Sequence, residues 1–194
     1  GSKVDLYIDA GPQEGGRVST LVDLSSPEPR LIRKGRVSFD EISGVAARKR
    51  ILFVCTGNTC RSPIAAALAR KYLDPVRCEI RSAGVGTYSG LPAEPLTRRA
   101  LLEEEGLHAE DHRTTRVDDL VLGAADWIFC MTRAHCQILS ESHPSAASRV
   151  HLLEAFSLGR DADVPDPLGG DYARYRACAE EIKQSILALR ERLR

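Results

Sequence analysis

Residues 50–63 read Arg-Ile-Leu-Phe-Val-Cys-Thr-Gly-Asn-Thr-Cys-Arg-Ser-Pro, and this stretch decides the fold. Its apolar first half is typical of a strand buried on both faces of a parallel sheet. Ser62 stands at the N-cap position, and Pro63 in the first turn, of a helix that we predict to run to Leu73. A strand, a short loop and a helix in this order indicate an α/β fold.

Strands and helices continue to alternate after this unit. We predict further strands over residues 79–82, 126–131 and 149–153, and further helices over residues 95–105, 133–140 and onward from Asp171. Gly106 is expected to end the helix before it, and Asp171 to cap the last helix. Four parallel strands with helices on both faces make a doubly wound, flavodoxin-like sheet, and ligands bind at the carboxyl ends of such strands. We assign this domain to residues 46–194.

The first 45 residues differ in composition from the rest of the chain. They are rich in turn-forming Gly and Pro and contain three short β-like pieces, at Leu6–Ile8, Thr20–Leu24 and Arg30–Arg33. Pieces of this length bury little apolar surface on their own. We therefore predict a short β-rich N-terminal extension.

The charge balance and the cysteine spacing exclude several classes of function. The chain has 27 Lys and Arg against 27 Asp and Glu, so it lacks the positive field of a general nucleic-acid or anionic-membrane binder. No apolar run approaches the ~20 residues of a membrane span, and the start shows no secretory leader. The six cysteines lack the spacing of a zinc site. We expect a cytoplasmic protein with free thiols, no metal and no cofactor.

The loop after the first strand carries a thiol and a guanidinium six positions apart, Cys55 and Arg61. N–H groups at a helix N-terminus bind oxyanions, and arginine grips two of their oxygens. The same field favours thiolate, which makes Cys55 a candidate nucleophile against phosphorus, with the Ser62 hydroxyl directed at the sulfur. Asn58 suits a left-handed loop position. The predicted phosphate-binding residues are Thr56, Gly57, Asn58, Thr59, Cys60, Arg61 and Ser62.

A carboxyl for proton transfer is predicted at Asp166. Pro165 and Pro167 on either side give it a non-helical backbone, and the segment follows the fourth strand, so it lies on the same edge as the cysteine loop. A phosphate anion favours the protonated carboxyl. Asp166 is thus expected to protonate the leaving group first and to activate water second.

Cys60 leaves two interpretations open. Its side chain is either packing material or a second thiol that traps oxidised Cys55 as a disulfide and protects it from irreversible oxidation. Both interpretations fit a position five residues after the nucleophile in a short loop. If the second holds, peroxide inactivation is reversed by thiol reductants, and a disulfide between the two residues is detected by mass spectrometry.

The loop Val-Cys-Thr-Gly-Asn-Thr-Cys-Arg-Ser-Pro at residues 54–63, together with Asp-Pro at residues 166–167, resembles the low-molecular-weight protein tyrosine phosphatase family over about residues 48–194. The resemblance implies a phosphocysteine mechanism on phosphorylated protein substrates. It gives Cys55 the role of nucleophile, Arg61 that of phosphate ligand and Asp166 that of acid. It also implies that Ser82 and His112 brace Asn58 and the loop.

Within the family, the sequence is most similar to bacterial protein arginine phosphatases, which share the loop Cys-Thr-Gly-Asn-Thr-Cys-Arg-Ser. Tyrosine phosphatases usually carry a bulky aliphatic residue where Thr59 stands, and many have paired tyrosines where this chain has Leu168-Gly-Gly. Arginine phosphatases often have Phe at the position of Leu168, so the side wall of the pocket departs from their pattern. We expect a phosphoarginine phosphatase, with phosphotyrosine as the alternative substrate.

Thioredoxin-coupled arsenate reductases share the fold and a similar loop, and this resemblance gives a less favoured alternative. They pass electrons through two further cysteines near the end of the third strand, a region that here contains Cys130 and Cys136. The spacing of that pair is one residue shorter than usual, and the reductases usually have Gln where Pro63 stands. A more distant alternative is a binding module without enzymatic activity, which requires an unreactive Cys55.

The N-terminal extension resembles the C-terminal end of the threonylcarbamoyl-AMP synthase family. The similar segments are residues 9–12, 19–24 and 31–37. The catalytic bulk of that family is missing from this sequence, so Ser19 and Thr20 cannot act here alone. The resemblance implies a fused tRNA-modification domain in a longer protein; the alternative is an unrelated β-rich extension.

Overall fold

The computed structural model describes residues 18–26, 29–46 and 48–193. The chain divides into two compact units, with the boundary between Ala47 and Arg48. Among the described residues, no helix combines the length and the apolar character that a membrane span needs.

The first unit contains an antiparallel hairpin followed by a helix: β1 (Leu21–Asp23), β2 (Arg30–Arg33) and α1 (Phe39–Ala46). The two strands lie within the β-like pieces predicted there. The predicted piece at Leu6–Ile8 lies outside the described residues.

Helix α1 was not predicted, although its sequence contains a start signal. The Ser38 backbone N–H donates to Glu41 Oε2 at 3.0 Å, and the Glu41 N–H donates to Ser38 Oγ at 3.2 Å. This reciprocal pair is a capping box, which satisfies two N–H groups at the start of a helix. The spacing of Ser38 and Glu41 is the signal that identifies the helix.

The second unit is built on four parallel strands: β3 (Lys49–Cys55), β4 (Cys78–Gly84), β5 (Trp127–Cys130) and β6 (Val150–Leu152). Their order across the sheet is β4-β3-β5-β6, which confirms the predicted four-stranded parallel α/β sheet. The chain also forms α2 (Arg61–Tyr72), α3 (Pro95–Glu105), α4 (Asp119–Gly123), α5 (Arg133–Ser142), a 3-10 helix (Pro144–Arg149), α6 (Leu153–Leu158) and α7 (Tyr172–Arg192).

Side chains of β3 alternate between two buried clusters, which places helices on both faces of the sheet. Ile51 and Phe53 pack with residues of α2 and α7. Leu52 and Val54 pack in the other cluster, which includes residues of α4 and α5. Residues 51–55 of the strand are therefore buried on both sides, as their apolar sequence predicts, whereas Lys49 and Arg50 at its start are exposed.

The helix boundaries bring one correction that matters for the site. The prediction that Ser62 is the N-cap of α2 was wrong. The helix begins at Arg61, two residues before the predicted start at Pro63, with Cys60 at the cap position and no side-chain cap bond. The Ser62 hydroxyl is engaged inside the loop instead. The predicted caps at Asp171 and Gly106 are confirmed: Asp171 accepts from the Arg174 N–H, and Gly106 is left-handed.

Three short elements escaped prediction: α4, the 3-10 helix and α6. The predicted fourth strand also extended to Leu153, whereas β6 ends at Leu152 and Leu153 begins α6. Leu153 is fully buried in the helix. A short apolar run is compatible with either a strand or a buried helix, so the periodicity could not separate the two.

Helices α2, α3 and α7 are joined by the carboxylate of Glu105, whose side chain is only 5% exposed. It accepts from Lys71 Nζ and Tyr72 Oη, each at 2.6 Å, and from Lys183 Nζ at 2.7 Å. Burial by itself would raise the pKa of Glu105, but the bonds from Lys183, Lys71 and Tyr72 outweigh it and lower the pKa to about 2.

Replacing Glu105 with glutamine is expected to lower the free energy of unfolding by about 1 to 3 kcal/mol at neutral pH, because two ammonium groups lose their counter-charge. Since folding lowers this pKa from 4.5 to about 2, the contribution is complete above pH 4.5 and disappears as the pH falls toward 2. Denaturant unfolding at pH 7 and at pH 2.5 measures both effects. Glu103→Gln, which removes an exposed carboxylate that pairs with Arg99, is the matched control. An equal loss at both pH values would contradict the assignment.

Candidate active site

The phosphate loop, residues 55–62, lies at the carboxyl edge of the sheet, between β3 and α2. Cys55 is the last residue of β3 and stands opposite Gly84, the last residue of β4. A Cβ atom on Gly84 would lie 2.6 Å from the Thr56 carbonyl oxygen, so only glycine lets β4 end this close to the loop. The helix start without a side-chain cap leaves the first N–H groups of α2 available to an anion.

The sulfur of Cys55 is buried and surrounded by polar groups. The Asn58 backbone N–H donates to it at 3.3 Å, and Ser62 Oγ lies 3.0 Å away. Asn58 Nδ2 donates to Ser62 Oγ, which leaves the hydroxyl proton free for the sulfur or for the Ala83 carbonyl at 3.3 Å. The Asn58 N–H and the Ser62 hydroxyl can therefore both donate a hydrogen bond to the Cys55 sulfur.

Asn58 holds the loop in shape from a left-handed backbone position with φ of 53°, and among the described residues no other non-glycine has a positive φ. Its Nδ2 donates to Ser82 Oγ at 3.0 Å, and its carbonyl lies 2.8 Å from His112 Nε2. Both residues suggested by the resemblance thus contact Asn58. The Thr115 N–H, which donates to Asn58 Oδ1 at 2.8 Å, was not predicted. Burial lowers the pKa of His112.

Arg61 is 5% exposed and lies between the loop and the segment that carries Asp166. Its Nη1 donates to the Val164 carbonyl at 3.3 Å, and its Nη2 donates to Asp166 Oδ2 at 2.5 Å. Its Nε is buried and has no hydrogen-bond partner among the described residues. A buried guanidinium with an unused donor, on a residue of the phosphate loop, fits the bidentate binding of an oxyanion.

Asp166 lies beside the phosphate loop, on the edge of the sheet where the sequence placed it. Its side chain is 43% exposed, and its Oδ1 accepts from the Leu168 N–H at 3.2 Å. The segment is anchored upstream, where the Val164 N–H donates to the Met131 carbonyl at 2.8 Å. A carboxyl that is held at its base and reaches both solvent and the guanidinium is suited to proton transfer.

The two side chains proposed to select the substrate, Thr59 and Leu168, differ in exposure. Thr59 is half-buried, with its hydroxyl 3.6 Å from the Cys60 sulfur, whereas Leu168 is 58% exposed. The Cys60 sulfur is buried and lies 3.7 Å from the Tyr175 hydroxyl. Burial raises the pKa of Cys60. These contacts of the Cys60 sulfur do not include the Cys55 sulfur, so the disulfide between the two residues stays a prediction.

Cys130 and Cys136, the pair considered for electron transfer, are hydrogen-bonded to each other. The hydrogen bond from Cys136, followed by burial, raises the pKa of Cys130. The Cys130 side chain packs in the cluster that contains Val54, on the face of the sheet opposite that of Cys55. This placement does not favour a relay of electrons from Cys55 to Cys130.

His135 is a second site residue that the sequence analysis missed, besides Thr115. It is 4% exposed, and its Nε2 lies 2.8 Å from Thr56 Oγ1 in the phosphate loop. Burial, and then the nearby charge of Arg61, lower its pKa to about 4. The available signal was weak, because a histidine on the buried side of a predicted helix is usually a packing residue.

Comparison with known proteins agrees with this geometry. Residues 50–194 match the family described as low molecular weight phosphotyrosine protein phosphatase. The chain belongs to this family. The match confirms the family expected from the loop and makes the chain a cysteine-dependent phosphatase.

Three relatives of the phosphatase illustrate the range of names within the family. A protein-arginine-phosphatase of Geobacillus stearothermophilus is 40% identical over 145 residues, which cover 74% of this chain and 95% of that protein. A low molecular weight protein tyrosine phosphatase from T. tengcongensis has a TM-score of 0.71 at 34% identity and covers 74% of this chain and 99% of its own. A YwlE arginine phosphatase variant has a phosphorylated serine in place of the active-site cysteine. Its TM-score is 0.69 at 32% identity, and the match covers 74% of this chain and 95% of that one.

Proposed function

We propose that this phosphatase hydrolyses phosphoarginine in proteins, with Cys55 as nucleophile, Arg61 as the ligand of the phosphoryl group and Asp166 as general acid and base. One observation carries the assignment of roles: a hydrogen-bonded thiol, a buried guanidinium with an unused donor and a carboxyl on that guanidinium converge at one helix N-terminus. Together they supply the attacking group, the charge stabilisation and the proton.

The reaction proceeds in two displacements at phosphorus. The Cys55 sulfur forms a bond to phosphorus while the P–N bond to the substrate guanidine breaks, and Asp166 gives its proton to the departing nitrogen. The Asp166 carboxylate then takes a proton from water, whose oxygen displaces the sulfur and releases phosphate. In the YwlE variant a phosphorylated serine replaces the active-site cysteine, which supports a covalent phosphoryl intermediate at the position of Cys55.

The ion pair between Arg61 and Asp166 makes the release of Asp166 depend on substrate binding. A phosphoryl group that binds the guanidinium competes with the Asp166 carboxylate for Nη2. The carboxyl released in this way then lies beside the bound phosphoryl group, where it can act as the acid of the first step. Substrate binding therefore frees Asp166 from Arg61 before the first step needs it as the acid.

Arginine rather than tyrosine is supported by the chemistry of the rim. Thr59 presents a hydroxyl beside the loop, and Asp166 a partly exposed carboxylate, both of which suit a cationic guanidinium better than an aromatic ring. A relative named as a protein-arginine-phosphatase shares 40% identity over this domain. Hydrolysis of phosphoarginine and phosphotyrosine peptides by the same enzyme sample tests the assignment; a higher kcat/KM on the tyrosine peptide would overturn it.

Thr59→Ile is expected to lower the ratio of phosphoarginine to phosphotyrosine hydrolysis by roughly 10- to 200-fold, since it adds an apolar branch and removes a hydroxyl from the pocket wall. The measurement is kcat/KM on both peptides. Thr59→Ser, which keeps the hydroxyl, is the matched control and is expected to stay near the wild-type ratio. A constant ratio in the isoleucine variant would remove Thr59 from the specificity argument.

A further inference from the structure

We propose that the first turn of α5 positions the two catalytic segments relative to each other: His135 acts on the phosphate loop through Thr56, and Arg133 acts on the acid segment that leads to Asp166. Neither residue faces the reacting atoms in the mechanism above, so both are positioning residues. The proposal rests on the proposed function, because it assigns their effects to two different steps of that reaction.

His135 is fixed at both ring nitrogens. Nδ1 lies 2.9 Å from Thr132 Oγ1, and Nε2 lies 2.8 Å from Thr56 Oγ1. Thr132 itself caps α5, since its Oγ1 accepts from the His135 N–H at 3.3 Å. The ring therefore connects the rigid start of a helix to the residue directly after the nucleophile.

The surroundings of His135 keep the imidazole neutral at the pH of the reaction. Burial and the charge of Arg61 lower its pKa to about 4, against the opposite effect of Asp166 and Asp163. A neutral ring has one donor and one acceptor nitrogen, which matches its two hydroxyl partners. It also adds no second positive charge beside Arg61, so the guanidinium remains the cation that the phosphoryl group meets.

Arg133 holds the other segment. Its backbone N–H donates to Asp163 Oδ1 at 2.9 Å, its Nε donates to Asp161 Oδ1 at 3.1 Å, and its Nη2 donates to the Asp161 carbonyl. Asp163 immediately precedes Val164, whose carbonyl accepts from Arg61. With a fourth bond, from Nη1 to Asp163 Oδ1 at 3.4 Å, Arg133 restrains the path of the chain just before Asp166.

The two connections predict different kinetic effects. A shifted phosphate loop weakens binding of the phosphoryl group in every substrate and in transition-state analogues such as vanadate. A shifted acid segment impairs proton donation, which only poor leaving groups need. A residue that merely stabilised the fold would lower the fraction of active enzyme and change all substrates equally, without changing KM or the vanadate inhibition constant.

The experiment measures kcat and KM on a phosphoarginine peptide and on an activated aryl phosphate, together with inhibition by vanadate. His135→Leu and Thr56→Val are each expected to lower kcat/KM about tenfold on both substrates and to weaken vanadate about tenfold, the effect of losing one hydrogen bond of about 1.4 kcal/mol. The double variant is expected to be no worse than the more impaired single variant, and Thr56→Ser to recover most of the loss.

Arg133→Gln is expected to lower kcat about tenfold on the phosphoarginine peptide, with less than a threefold change on the aryl phosphate and in vanadate inhibition. Arg99→Gln, which breaks a surface pair on α3, is the matched control. Fluorescence of Trp127, the single tryptophan, checks folding of each variant. Thr56 is exposed and the Arg133 side chain is 53% exposed, so these two variants keep the test decisive if His135→Leu does not fold.

Additive losses in His135→Leu and Thr56→Val would overturn the connection through Thr56. An equal loss on both substrates would overturn the role of Arg133. These outcomes are separate from a failure of the proposed function, which would appear in the wild-type enzyme as no hydrolysis of the phosphoarginine peptide. In that case the phosphotyrosine peptide replaces the phosphoarginine peptide as the substrate with a poor leaving group. The comparison with the activated aryl phosphate still applies.

Discussion

Cys55→Ser is expected to lower turnover by at least about 10⁴-fold, because a serine hydroxyl at this position lacks the charge and nucleophilicity of the thiolate. Binding of vanadate is expected to persist, since the loop N–H groups and Arg61 are unchanged. Steady-state hydrolysis and vanadate titration measure the two effects. The phosphorylated serine of the YwlE variant also leads us to expect slow phosphorylation at position 55, detectable by mass spectrometry.

The matched control is Cys78→Ser, which removes a buried thiol at the opposite end of the sheet. Cys78 begins β4, whereas the phosphate loop lies at the carboxyl ends of the strands. This variant is expected to keep the wild-type rate per folded molecule. Turnover by Cys55→Ser within tenfold of the wild type would exclude the phosphocysteine mechanism.

Asp166→Asn is expected to lower kcat by roughly 10²- to 10⁴-fold on a phosphoarginine peptide, because the departing guanidine no longer receives a proton. An activated aryl phosphate leaves without protonation, so its loss is expected to be below about tenfold. The second displacement also loses its base, which limits how completely the aryl substrate is spared. The ratio of the two losses is the quantity that identifies a general acid.

Asp171→Asn is the control for this series. Asp171 follows Asp166 by five residues and caps α7 through the Arg174 N–H, a role in which asparagine serves as well as aspartate. We expect its rates to match those of the wild type on both substrates. Equal losses of Asp166→Asn on the two substrates would show that the carboxylate only orders the segment through Arg61.

Local signals explain why the phosphate loop could be predicted. An apolar run, a Gly-Asn turn and a Ser-Pro helix start occur within residues 50–63, and each constrains its own backbone. The parallel sheet followed from the alternation of strands and helices. Asp166 was predicted from its flanking prolines. Its contact with Arg61 joins residues 105 positions apart and forms only in the folded sheet.

Other contacts of the site have no local signature. Thr115 reaches Asn58 from 57 positions away, and His135 reaches Thr56 from 79. Ser62 shows how a local rule fails: serine before proline is typical of an N-cap, but the sulfur and the Asn58 amide compete for the same hydroxyl. The threonylcarbamoyl-AMP synthase resemblance of residues 1–45 stays a prediction.

The sequence by itself determined the fold class and the family, and it supplied the three side chains that we propose to react, because these depend on patterns within a strand, loop or turn and on the order of such units. Only the tertiary structure decided how those side chains are held: the buried Nε of Arg61, the neutral His135 against the loop, and the hold of Arg133 on the acid segment. Such arrangements arise where distant segments meet at the edge of the sheet. The burial and the hydrogen bonds of these side chains depend on residues far apart in the sequence, so a pattern of neighbouring residues cannot predict them.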